Sequence, residues 1–214
     1  MFTGIVEEIG AVVSRAARGP GARLTISCGF EGLALGESIC VAGVCLTVDA
    51  IGGSAAHRDA RATFEADATA ETLARSTLAA ARAGTKVNLE RALRPTSRLG
   101  GHFLAGHADG VSRLLDKRPL GDATQLRFSL ENELARFVAP KGSIAVDGVS
   151  LTVNAVERGW FDLVVIPHTL KATTLQSLPI GASVTLEVDL LARYVARMIE
   201  VGGARGMTSG HEGF

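Results

Sequence analysis

The stretch VAGVCLTVDA at residues 41–50 comes back as VDGVSLTVNA at 146–155. No other feature constrains the fold as strongly, because a chain that states one pattern twice is built from two copies of one module. The agreement extends well beyond these ten-residue blocks. SICVAGVCLTV from Ser38 lies over SIAVDGVSLTV from Ser143, FEADATAETLARSTL from Phe64 lies over FDLVVIPHTLKATTL from Phe161, and GTKVNLE lies over GASVTLE. TGIVEEIGAV from Thr3 corresponds in the same way to AGHADGVSRL from Ala105. The spacing between the copies shortens past Gly52 and Gly53, which puts a longer loop there in the first copy.

Within each copy, short runs of Val, Ile, Leu and Thr are broken by Gly, Pro or Asp about every ten residues, the signature of successive strands. Val41, Leu46 and Val48, and their counterparts Val146, Leu151 and Val153, flank tight turns at Gly43 and Gly148. Helical spacing is confined to TLARSTLAAAR from Thr72, ENELARFVA from Glu131, and DLLARYVARMIE from Asp189 to Glu200. The last segment gathers Leu191, Tyr194, Val195, Met198 and Ile199 on one face and is too short to stand alone in water. It packs either on its own barrel or on the same helix of other subunits. The fold class that follows is mainly β: two tandem homologous small closed β-barrels, 1–97 and 98–189, with a C-terminal α-helix at 190–201 and a disordered tail at 202–214.

The chain of 214 residues, 47% hydrophobic, suffices for two such cores. Twenty-two basic residues balance twenty-two acidic ones, so no net field draws the chain to nucleic acid or to an anionic membrane, and a small molecule is the expected partner. The N-terminus lacks a signal-peptide pattern and no segment has the ~18 uninterrupted apolar residues of a membrane span. A cytoplasmic protein is expected. Cys28, Cys40 and Cys45 support neither a disulfide framework nor a metal site. Cys28 and Cys40 read as small buried hydrophobes, whereas Cys45 is set apart by standing opposite Ser150 in the repeat.

Five phrases in order carry a resemblance: MFTGIVE, the pair GVCLTV and GVSLTV, LGGHFLAGHADG, IPHTLKATTL and LEVDLLARYV. Together they resemble the riboflavin synthase family, alpha-chain type, over about the first 200 residues. The resemblance implies two lumazine-binding barrels, a homotrimer held by C-terminal helices, and a cofactor-free dismutation of two 6,7-dimethyl-8-ribityllumazine molecules. It also implies that a productive pair forms between the first barrel of one subunit and the second barrel of its neighbour. Two like pockets suit a reaction between two copies of one compound, and differences between them would separate donor from acceptor. Cys45 against Ser150, Ala42 against Asp147, Ala70 against Pro167, Glu71 against His168 and Gly36 against Lys141 are such differences.

Carried over position by position, the resemblance names Ser150, Cys45, His107, Phe2, Lys141 and Asp189 as catalytic candidates. Ser150 and Cys45 would hydrogen-bond or deliver a nucleophile or water to the ring. His107, the second histidine of GGHFLAGH after His102, would move a proton near neutral pH. Phe2 would cover a bound ring or shape the pocket mouth, and Lys141 would stabilise an anion. Asp189 either contacts the ribityl chain or caps the tail helix. Substrate contacts fall to Gly4, Ile5 and Val6; to Cys45, Leu46 and Thr47; to Asp67, Ala68, Thr69, Ala70, Glu71 and Thr72; and to Gly106, His107 and Ala108. Ser150, Leu151 and Thr152, with Ile166, Pro167, His168 and Thr169, complete the set beside Lys141. Ala42 and Ala105 depart from the family pattern, which commonly has an amide and a small hydroxyl there.

A lumazine or flavin carrier without catalytic activity is the competing reading, but it predicts one decayed module, and both are intact. A flavin oxidoreductase module is disfavoured because no G-x-G-x-x-G follows a strand.

Overall fold

The computed structural model describes residues 1–53 and 61–208. Residues 54–60, which follow the Gly52–Gly53 position where a longer loop is expected, lie outside the described residues. The first module comprises β1 (Glu8–Arg18), β2 (Gly21–Cys28), β3 (Ser38–Val41), β4 (Val44–Thr47), β5 (Ala50–Gly52), β6 (Ala62–Ala68), α1 (Ala70–Arg75) and β7 (Lys86–Arg91). The second comprises β8 (Gly110–Leu120), β9 (Ala123–Ser129), α2 (Asn132–Ala135), β10 (Ser143–Val146), β11 (Val149–Glu157), β12 (Trp160–Val165), α3 (Pro167–Ala172) and β13 (Ser183–Val188). Helix α4 (Leu190–Thr208) follows.

β8–β13 close a barrel in the order β10-β11-β12-β9-β8-β13. The first module follows the same order, β3-β7-β1-β2-β6, and its sheet ends in β4 on one side and β5 on the other. Those two strands are the halves of one, interrupted at Val48 and Asp49, and the Asp49 amide donates to the Glu65 carbonyl across the break. In the second module the same strand stays continuous as β11, with a register shift between Val153 and Ala155 at the position equivalent to Asp49. Both barrels thus bend at one place, as small closed sheets require.

Alternation builds each core. In β2, Ala22, Leu24, Ile26 and Cys28 are buried while the residues between them face outward. They meet Ile39, Val41, Phe64 and Leu89 in the first barrel. Leu126, Phe128, Ile144, Phe161 and Leu186 fill the second. Each such Leu, Ile or Phe contributes about 1.5–3 kcal/mol by leaving water.

The β3–β4 and β10–β11 hairpins turn on Ala42-Gly43 and Asp147-Gly148, all four residues at positive φ, which is the type I′ geometry that matches strand twist. The two turn tips touch: a Cβ on Gly43 would stand 2.9 Å from the Gly148 amide nitrogen. Glycine is required there twice over, by φ and by the approach of the other module.

The helices differ in part from expectation. The segment from Thr72 divides at Ser76 into α1 and a short 3-10 turn, Thr77–Ala80. IPHTLKATTL contains α3, which begins on Pro167, a residue suited to the first helical position because its missing N–H would be unpaired there anyway. α4 continues past Val201 to Thr208, because glycine lowers helix propensity by about 1 kcal/mol without forbidding the backbone bonds. The remainder of the expected tail, 209–214, lies outside the described residues.

Among the described residues no helix is long and apolar enough to cross a membrane. Arg193 to Asp109, at 2.5 Å, and Arg136 to Glu200 hold α4 against the second barrel. Leu191, Tyr194, Val195, Met198 and Ile199 remain exposed along it.

Candidate active site

The segments leading into the two barrels are exchanged. Gly4, which the division at residue 97 assigns to the first barrel, accepts a 2.8 Å hydrogen bond from the Ser150 amide of the second. Gly106, which leads into the second barrel, accepts one of the same length from the Cys45 amide of the first. Packing follows the same crossing, with Val6 against the second core and Ala108 against the first. Gly4 and Gly106 both sit at φ +76°, and a Cβ on either would come within 2.7 Å of the opposing strand.

The crossing sorts the candidate residues into two groups. The first holds Cys45, Leu46 and Thr47 on β4 with Gly106, His107 and Ala108. The antiparallel Ala50–Glu65 register between β5 and β6 sets the β4 end of this strand on the side of Ala68, Thr69 and α1. The second holds Ser150, Leu151 and Thr152 on β11 with Gly4, Ile5 and Val6. The Val153–Leu163 register with β12 brings these residues beside Ile166 and the start of α3, where Pro167, His168 and Thr169 lie. Ile5 and Ile166 are about half exposed, giving the second site an apolar rim that suits a planar ring.

The polar groups differ sharply between the two. Ser150 Oγ lies 2.7 Å from His102 Nδ1. His102 is buried, and its Nε2 has no hydrogen-bond partner among the described residues. Burial pushes the imidazolium below its ordinary pKa, while the charge of Asp189 pulls it the other way. His107, the histidine favoured from sequence for proton transfer, is exposed and belongs with the Cys45 group. Sequence reasoning noted His102 only as a neighbour of His107. The signal it passed over was the glycine pair before it: a Cβ on Gly101 would stand 2.8 Å from Ser150 Oγ.

Other candidates have structural commitments. Phe2 is fully buried, bridges to Leu104 between the barrels, and packs in a small cluster with Cys40 and Ala145 that the half-buried Cys45 covers. Asp189 Oδ1 accepts from the Leu191 amide and so caps α4, and its charge still reaches His102. Thr69 caps α1 by accepting from the Thr72 amide, Asp67 pairs with Arg18 and Arg23, and Glu71 pairs with Arg75. Lys141 is exposed at φ +67°, where its counterpart Gly36 has φ +81°. A lysine held in the left-handed region is the kind of outlier that points to a functional constraint.

Cavities lie beside both crossing segments. One, of about 670 Å³, is lined by Thr3, Ile5, Glu90, Arg94 and Gly100 among others. The other, of about 350 Å³, includes Ala105, His107, Glu187, Arg193 and Tyr194. No group of three or more His, Cys, Asp or Glu residues able to hold a metal occurs among the described residues.

The duplicated barrel is that of a tandem lumazine-binding-domain protein, and the model of the lumazine binding domain matches residues 3–92 and again 105–189. The riboflavin synthase of Mycobacterium bovis is 45% identical over 208 residues, covering 95% of this chain and 100% of that protein. The riboflavin synthase of Brucella abortus is 41% identical over 204 residues, covering 94% and 98%. The chain belongs to the riboflavin synthase family. Among solved structures, LumP complexed with 6,7-dimethyl-8-(1'-D-ribityl) lumazine matches with a TM-score of 0.76 at 22% identity over 88% of this chain and 99% of that one, a likeness of fold.

Proposed function

We propose that the chain is a cytoplasmic riboflavin synthase acting as a homotrimer. It binds two molecules of 6,7-dimethyl-8-ribityllumazine and transfers a four-carbon unit from one to the other, giving riboflavin and 5-amino-6-ribitylaminouracil. The two products contain every atom of the two substrates, so no external oxidant or reductant enters the balance.

The observation that carries this reading is one site built twice with different polar groups, Cys45 beside the Gly106–Ala108 segment and Ser150 beside Gly4–Val6 and His102. Like shapes accept like molecules, and unlike polar groups give them different fates. Holding two rings in stacked contact replaces a bimolecular encounter and contributes on the order of 7–11 kcal/mol to lowering the barrier.

Within the second site, burial favours neutral His102. With its proton on Nε2, Nδ1 accepts from the Ser150 hydroxyl, and the Ser150 oxygen is left to orient a water or, passing its own proton to Nδ1 in the same step, to take one from the 7-methyl group. Lys141 supplies positive charge where the ring anion forms. The productive pair unites the first barrel of one subunit with the second barrel of its neighbour, and the exposed face of α4 holds the subunits together.

The deciding experiment incubates the purified protein with 6,7-dimethyl-8-ribityllumazine alone and follows riboflavin by its absorbance. Riboflavin formation supports the reading. Tight binding with no riboflavin identifies a carrier, and neither result rejects both.

A further inference from the structure

Glu90 on β7 and Glu187 on β13 occupy equivalent places in the two modules, and each is about 5% exposed. A buried carboxylate is costly unless charge or hydrogen bonds satisfy it. Neither side chain makes a salt bridge among the described residues; the neighbouring Arg91 pairs with Glu37 and Arg193 with Asp109. Backbone amides satisfy them instead. Glu90 accepts from the Thr3 amide at 2.6 Å, the Thr3 hydroxyl at 2.7 Å and the Gly4 amide at 2.9 Å. Glu187 accepts from the Ala105 amide at 2.7 Å and the Gly106 amide at 3.0 Å. The positive φ of Gly4 and of Gly106 accompanies successive N–H groups directed at one anion.

The same glycines hold the site strands of the opposite barrels through their carbonyls. Glu90 is therefore one peptide unit from the Ser150 strand, and Glu187 is one peptide unit from the Cys45 strand. We propose that Glu90 and Glu187 are positioning residues that act crosswise: each carboxylate, from one barrel, fixes the crossing segment that forms the wall of the other barrel's site. Burial pushes both carboxyls up, Glu187 to about 7, so the charged form is held chiefly by these amide bonds. The two pins are unequal. Thr3 gives Glu90 a third donor that Ala105 cannot give Glu187, so the segment over Cys45 is the more loosely held.

Cys45 provides a readout that does not depend on turnover, because it is half-buried while Cys28 and Cys40 are buried. Labelling of the full chain with Ellman's reagent is followed for Glu187→Gln, Glu90→Gln and Ala105→Ser, with Cys45→Ser identifying the reacting thiol. A glutamine keeps one acceptor and turns an NH₂ group toward the second amide, so one charge-assisted bond is lost. Glu187→Gln should label Cys45 about tenfold faster than the parent, whereas Glu90→Gln should leave the rate within about twofold. Ala105→Ser adds the missing donor and should slow labelling about threefold, which tests the proposal even if a glutamine variant fails to fold.

Riboflavin-forming turnover, measured alongside, rests on the function proposed above: Glu187→Gln and Glu90→Gln should each lower kcat more than they raise KM. Equal labelling rates in the two glutamine variants, or an unchanged rate in both Glu187→Gln and Ala105→Ser, would overturn the proposal. A parent protein that neither binds nor converts the lumazine would remove the function and leave the crossed labelling pattern as the test of the pins.

Discussion

His102 Nδ1 stands 2.7 Å from the Ser150 hydroxyl oxygen, and the far side of the same ring is buried with no partner among the described residues. The pair joins the segment between the barrels to the strand that carries the second site. If the two act as one proton-handling unit, Ser150→Ala and His102→Gln should each lower kcat about 100-fold, with the lumazine Kd changing far less. The double variant should be little worse than either single one. Single-turnover kinetics and equilibrium titration of the same preparations check this, and a Ser150→Ala enzyme with parental turnover would remove the pair from the reaction.

Lys141 occupies a backbone conformation that its counterpart fills with glycine. Lys141→Gly should therefore raise the stability of the chain by about 1 kcal/mol while lowering turnover. Urea denaturation and steady-state kinetics read the two effects separately. A loss of stability would show that the lysine is held by contacts outweighing its backbone strain.

Asp147 couples stability to pH. Burial raises its carboxyl from 3.8 to about 7, against the pull of hydrogen bonds from Thr185. The folded state therefore binds this proton more tightly than the unfolded chain does. The stabilisation this provides is complete below about pH 4, falls as pH rises, and is gone above about pH 7. Asp147→Asn keeps an acceptor for the Thr185 amide and cannot ionise. Relative to the parent it should gain on the order of 3 kcal/mol at pH 8 and little at pH 4. Denaturation midpoints across that range provide the check, with a parallel pair of curves counting against it.

Leu191, Tyr194, Met198 and Ile199 are each more than 60% exposed along α4, in a stripe that no part of the described chain covers. Exposed apolar surface of this kind marks an interface. Met198→Glu combined with Ile199→Glu should convert the proposed trimer to a smaller species by sedimentation equilibrium, with the barrels still folded by circular dichroism. An unchanged mass would place the subunit interface elsewhere.

Much of the architecture was legible because its causes are local. The alternation of Ala22, Leu24, Ile26 and Cys28, and the glycines of the two β-turns, act within a few residues and leave their pattern in the sequence. The start of α3 was hidden because Pro167 reads as a breaker unless it is known to stand first in a helix. The crossing of Gly4 and Gly106 left no trace, since aligning two copies shows which segments correspond but not which barrel each one packs upon. The contact of His102 with Ser150 depends on that crossing, and so does the burial of Phe2 between the modules. The candidate residues were found as types at positions, and their grouping required the folded chain.

The crossing has a consequence for how such a molecule could have arisen. A solitary ancestral module would have lacked the strip over its own Cys45 or Ser150 position and could obtain it only from a twin, each lending its leading residues to the other. Joining the two genes would have turned that reciprocal loan into a single inheritance, after which each copy was free to specialise.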